Sequence, residues 1–289
     1  MTGYEVLSDL DSEALSKLVQ DVGIPPRPSL LADMQVEVQR DEPRMRVMVD
    51  IAGADVAMSA ALLKTANSPM MGLRRRAETV QEAFTLLGYN QCHVILTEIT
   101  LRDMFPPDGL LLTRFWDVST KRAHAMTHLA RIKGISSPAL AHTLGLFVDI
   151  GIPVLIKRFK SAVPSYVDTL GIANESADLF TSVERHHHAT DHALVGTLMA
   201  RSWGVSQTVQ LAIRMHHDYS GWRDGAPVAV LDLMALYLVS ERIIQTYLGQ
   251  NRHCEWDKGG ARAMEVLGID ELALEAWTDE IHDVFDHVQ

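Results

Sequence analysis

Leu144-Gly145-Leu146-Phe147-Val148-Asp149-Ile150-Gly151 lies at the centre of an apolar run from about Leu140 to Ile156, which also holds His142 and Pro153. Those interruptions make the run a buried helix rather than a membrane span. A lone carboxylate in such a helix must be paired or partly solvated, or its pKa must rise. A histidine from the 184–192 segment, or a lysine or arginine, is therefore expected beside Asp149. A neighbouring His-Asp pair could offer a nitrogen and an oxygen to a divalent cation. Here the residue before Asp149 is Val148, which has no lone pair to give.

Working outward, helix signals recur along the chain. Thr79-Val80-Gln81-Glu82 has the form of a capping box. Ser137-Pro138 places a cap before a proline at the first helical position. Leu87-Gly88, Lys133-Gly134, Trp203-Gly204 and Leu267-Gly268 each put a glycine where a helix can end at positive φ. Apolar residues between these marks recur every three to four positions, and Val228 to Leu248 does so as a core helix. No alternating strand pair joined by Asn-Gly or Asp-Gly stands out. The expected fold class is all-α. Residues 129–136 and 199–206 echo each other as helix, glycine stop, apolar residue and serine cap. No basic recognition helix follows either copy, so a DNA-binding reading is not supported.

Pro/Gly-rich breaks suggest a helical lead-in over 1–22, a helical subdomain over 23–109, a second over 110–222, and C-terminal helices over 223–289 that pack on the second. Aromatics at 6 % and 13 methionines suit helix packing rather than a β-sandwich. The net charge of −11 argues against nucleic acid as a partner. Cys92 and Cys254 form no CxxC pattern, which fits a reducing compartment. Met1-Thr2-Gly3-Tyr4-Glu5 lacks the blocks of a signal peptide. A cytoplasmic protein is the expectation.

Chemistry-bearing residues concentrate in the second half. His124 and His128 have HExxH spacing but no intervening glutamate, so a plain amphipathic helix is favoured. His142 and Asp149 are seven residues apart, about 10 Å along a helix, too far to share an ion. His142 is expected to be a hydrogen-bonded core or rim residue. Asp149, Glu184, His188, His192, His216 and His217 form the richer cluster. Their spacing matches no metal motif, and a structural role is preferred: Asp191 or Thr190 as a helix cap, His192 packed inside, His216-His217 near a helix end. Arg74-Arg75-Arg76 could form an anion-binding loop, against the commoner outcome of a solvated one.

The order of motifs resembles the HDOD domain, a bacterial signalling module related to the HD and HD-GYP phosphohydrolases. The resemblance runs from Ile24-Pro25-Pro26-Arg27-Pro28 through Ala66-Asn67-Ser68, Leu87-Gly88 and Phe115-Trp116-Asp117-Val118-Ser119, then Val148-Asp149, Glu184, Asp191-His192 and His216-His217, to about Trp222. Family members often carry histidine where this chain has Val118 and Val148, and the Gly-Tyr-Pro element is absent after His217. The resemblance implies an N-terminal helical subdomain and a degenerate HD-like one. It also implies a non-catalytic regulatory protein without a resident cofactor. Such a protein acts through an unidentified signalling partner or a small ligand, with a homodimer as one form. The alternative is a divergent metal-dependent phosphohydrolase acting on a nucleotide or cyclic dinucleotide. It needs at least three of the six clustered residues to converge on an ion.

Overall fold

The computed structural model describes residues 20, 22–68, 71, 73–135, 137–219, 222, 226–250 and 254–286. Nearly all of the expected 1–22 lead-in lies outside them. Among the described residues the regular elements are helices, with no strand. In chain order they are α1 (Ser29–Val38), α2 (Met45–Gly53), α3 (Val56–Ala66), α4 (Val80–Leu87), α5 (Tyr89–Met104), α6 (Gly109–Lys133), α7 (Pro138–Phe147) and α8 (Gly151–Arg158). Then come α9 (Tyr166–Glu175), α10 (Phe180–His188), α11 (His192–Ser202), α12 (Gln207–Met215), α13 (Val228–Tyr247), α14 (Cys254–Leu267) and α15 (Glu271–Asp286).

The chain forms two compact units, one built on Arg27–Trp116 and the other on Asp117–Ile281. Gly109 is the first residue of α6, so that helix contributes to each. In the Arg27–Trp116 unit, α1 to α5 pack around Leu31, Met34, Met48, Leu62, Phe84, Ile95 and Leu101. Buried Glu37 is held by Arg44 at 2.7 and 2.9 Å. The Asn67 side chain clasps Ala77, donating to its carbonyl at 2.8 Å and accepting from its N–H at 2.7 Å.

The helix punctuation works largely by the expected chemistry. Gly88, Gly134, Gly204 and Gly268 all have positive φ. Thr79 caps α4 by accepting from Glu82 N–H at 3.1 Å. Glu82 reaches back to the backbone on both sides of that junction, accepting from the N–H of Glu78 at 2.8 Å and also interacting with that of Thr79. Ser137 precedes Pro138 at the start of α7 but makes no side-chain cap. Ser136, the serine of the first echo copy, lies outside the described residues. In the second copy Ser206 caps α12.

The Asp117–Ile281 unit carries the histidines. The apolar run read as one helix is two, α7 and α8, joined by a tight turn at 148–150 in which Ile150 N–H meets Phe147 O and Ile152 N–H meets Asp149 O. Pro138–Arg158 is the one stretch long and apolar enough, by composition, to cross a membrane among the described residues, and 67 % of its apolar 18-residue window is buried inside the protein. Glycines set the positions of its two halves. A Cβ on Gly145 would lie 2.4 Å from Ala123 Cα, and one on Gly151 would lie 2.2 Å from His192 O. Contacts that short do not occur between real atoms, so only glycine lets α7 close on α6 and α8 close on α11. The turn bearing Asp149 is thereby wedged between α6 and α11. Helix α13 is buried at Leu233, Met234, Leu236, Leu238 and Val239, packing on α7, α12 and α14.

Candidate functional site

Asp149 sits at the junction of four elements. Arg122, one turn beyond Val118 on α6, reaches its Oδ2 at 2.7 Å. The same guanidinium holds Glu241 of α13 at 2.5 Å, lies over the Tyr237 ring, and is only 3 % exposed. His192 Nε2 and His216 Nε2 each lie 3.5 Å from Asp149 Oδ1. Both expected kinds of partner, a histidine from 184–192 and a basic side chain, are thus beside the carboxylate.

A second ring of contacts orients the imidazoles. Asp191 caps α11 by accepting from Leu194 N–H at 2.7 Å, and Arg185 holds its other oxygen at 2.7 Å. That cap fixes His192 as the first residue of α11, with its Nδ1 2.8 Å from Glu184 Oε2. Glu184 also accepts from the Tyr166 hydroxyl. His216, just past the end of α12, turns its Nδ1 to Ile213 O at 2.6 Å. His217 turns its Nδ1 to Glu255 Oε2 at 2.6 Å and stacks on Phe180.

Electrostatics follow from this packing. Burial would raise the Asp149 carboxyl, but Arg122 and the two imidazoles outweigh it and hold the group well below the usual carboxylate range. Burial opposes charge on His192, yet Glu184 and Asp149 override it and raise the imidazole to about 9. His216 moves the other way, to about 4, through burial and the neighbouring His217. Neighbouring groups pushed apart in this way mark functional clusters as well as structural ion networks.

One ligand atom from each of Asp149, His192, His216 and His217 lies within 4.8 Å of the others. Glu184 stands behind His192 rather than in that group. His188 is directed elsewhere, its Nε2 2.9 Å from Thr169 Oγ1 and its ring stacked on Phe159. The structural roles expected for Asp191, His192 and His216 therefore coexist with convergence. His128 pairs with Glu280 at 2.7 Å, while His124 lies edge-on to His142, so the HExxH-like spacing does not direct the two rings together. His142 is fully buried with both ring nitrogens unpartnered, in contrast to the hydrogen-bonded role expected of it. Arg74, Arg75 and Arg76 are exposed, with Arg75 3.4 Å from Glu82. Sequence reasoning did not single out Arg122, Glu241, Tyr166 or Glu255. The available signal for Arg122 was its place four residues after Val118, on the same helical face.

The profile of the HDOD domain family matches residues 24–219. An uncharacterized protein of Treponema pallidum is 23 % identical over 196 residues, and the alignment takes in 68 % of this chain but only 38 % of that relative's length. Similar solved structures include a candidate phosphohydrolase from Shewanella amazonensis SB2B, at TM-score 0.71, 19 % identity and coverage of 93 % of this chain and 94 % of the other. An HDOD domain protein of unknown function from Geobacter sulfurreducens gives TM-score 0.68 at 18 % identity, covering 99 % and 96 %. At these identities the structural likeness speaks to fold.

Proposed function

The chain belongs to the HDOD domain family, and on that premise we propose that it is a regulatory, signal-transducing module that binds a partner protein or small ligand and hydrolyses nothing. One observation carries the reading: the buried Arg122 guanidinium between Asp149 and Glu241. Metal-dependent phosphoester hydrolysis needs cations with open positions for water and for the substrate oxygens. A fixed arginine supplies charge without either. Val148, buried directly before Asp149, and Val118 have no donor where the family often has histidine. The protein is proposed to act in the cytoplasm, through a signalling protein and as a monomer or homodimer. Light scattering at several concentrations would decide between the two.

The test is turnover. Purified protein is incubated with a cyclic dinucleotide, nucleoside monophosphates and a chromogenic phosphodiester, each with Mn²⁺, Fe²⁺ or Zn²⁺. The expected rate equals that of the Asp149→Ala variant. Turnover by the wild type that this variant loses would overturn the proposal. It would also favour the second reading, a divergent phosphohydrolase, which draws its support from the four convergent donors.

A further inference from the structure

The crossing of α6 and α7 brings together two imidazoles that chain order keeps apart. Gly145 lets α7 approach Ala123 so closely that a Cβ would not fit between them. His124 is the next residue on α6, and His142 lies three residues before Gly145, on the same face of α7. Their rings meet edge to face, with centroids 5.3 Å apart and planes at 83°. Spacing along the chain pairs His124 with His128, yet His128 faces Glu280, and the imidazole beside His124 comes from the next helix.

His142 is wholly buried, and neither ring nitrogen has a hydrogen-bond partner beyond its own backbone. Burial, and after it the neighbouring His124 and Arg131, hold the ring well below the usual histidine range, so it is uncharged at neutral pH. A neutral imidazole carries one N–H and one bare lone pair. Leaving them unmet in an interior is costly, and buried polar side chains are nearly always paired or bound to water or an ion. A ring nitrogen of His142 and one of His124 lie within 4.8 Å of each other, with no hydrogen bond between them. Nitrogen donors about 2.0–2.1 Å from one ion stand about 2.9 Å apart at a right angle and about 4.1 Å apart in line. A modest turn of the half-buried His124 ring reaches that span.

We propose that His124 and His142 hold one Zn²⁺ or Cu²⁺ ion, which fastens α6 to α7 beside the Ala123–Gly145 crossing. Imidazole suits both metals. His142 is enclosed and His124 half-buried, so the ion enters on the His124 side, where water completes its shell. Arg131 opposes a cation here, but it is exposed and its charge is screened. None of the residues around Asp149 takes part, so this inference stands apart from the proposed function and is read by binding, not turnover.

The full chain is stripped with a chelator, then titrated with Zn²⁺ by calorimetry and with Cu²⁺ by electron paramagnetic resonance. His124→Ala and His142→Leu are run beside it, alone and combined with His216→Ala, which disables the group around Asp149. His142→Leu replaces an unmet polar ring by an apolar side chain of similar volume, so the stripped variant should melt at or above wild type. Wild type should take up one more ion than either His124→Ala or His142→Leu, and the same difference should persist in the His216→Ala background. There the Cu²⁺ spectrum should show coupling to two nitrogens. Zn²⁺ should raise the melting temperature of His216→Ala, and do so less once His142 is also replaced. Equal uptake by wild type and His142→Leu overturns the inference. So does a difference that vanishes in the His216→Ala background, because the ion then belongs to the group around Asp149. Coupling to a single nitrogen overturns the paired donors.

Discussion

Replacing Arg122 by methionine, in the metal-free protein, removes the guanidinium that Asp149 and Glu241 share. Methionine keeps most of the aliphatic length, so the change is chiefly one of charge. Removing one partner of a buried ion pair costs about 3–5 kcal/mol, because the other charge is left uncompensated. Asp149 and Glu241 are 13 % and 16 % exposed, so water can reach part of each carboxylate. The lower end of the range, about 3 kcal/mol, is the appropriate figure. For a unit of this size that is a fall of about 6–12 °C in melting temperature. Urea denaturation gives the free energy directly, and chelator excludes adventitious ions. A double-mutant cycle with Asp149→Asn should return a coupling of at least about 1 kcal/mol, since neutralising Asp149 relieves half of the stranded charge. A methionine variant within a degree of wild type, or an additive cycle, would refute the assignment of Arg122 as the charge that holds the centre together.

Gly145→Ala and Gly151→Ala each force a methyl into a backbone atom at 2.4 and 2.2 Å, and should destabilise by at least about 2 kcal/mol in chemical denaturation. Gly171→Ala, in α9 with nothing within 4 Å, should instead be neutral or stabilising by about 0.5–1 kcal/mol. Hydrogen bonding to Arg44 lowers the Glu37 carboxyl from 4.5 to about 2, so its contribution is complete above the unfolded value and disappears as pH falls through the folded one. Glu37→Gln should therefore melt below wild type at pH 7, with the gap closing as pH approaches 2. Burial pushes the Cys92 thiol up to about 12, whereas Cys254 is partly exposed, so iodoacetamide at pH 8 should modify Cys254 first and Cys92 only on unfolding.

Much of the fold could be read from local chemistry. Glycine stops at Gly88, Gly134, Gly204 and Gly268 are decided within one turn of backbone, and so is the Thr79 cap. The break between α7 and α8 was not legible, because its cause is remote: Gly151 must pass against the carbonyl of His192, forty-one residues later. The centre divides in the same way. Asp149 announced its need for partners through its apolar neighbours, and the clustered histidines were visible as a group. Which of them meet depended on the crossing of α6, α8, α11 and α12, and that information is absent from spacing along one helix. Arg122 carried no local mark apart from sharing a face with Val118, so the decisive cation was missed.

The clasp between Asn67 and Ala77 has a consequence for change over time. One side chain ties the two ends of the connection from α3 to α4 at both a donor and an acceptor. The junctions with those helices are then fixed by that amide and not by the residues between. Arg74, Arg75 and Arg76, exposed within that connection, can therefore be exchanged for other residues while the core keeps its form. A lineage of such chains could vary the charge of that edge without renegotiating the fold.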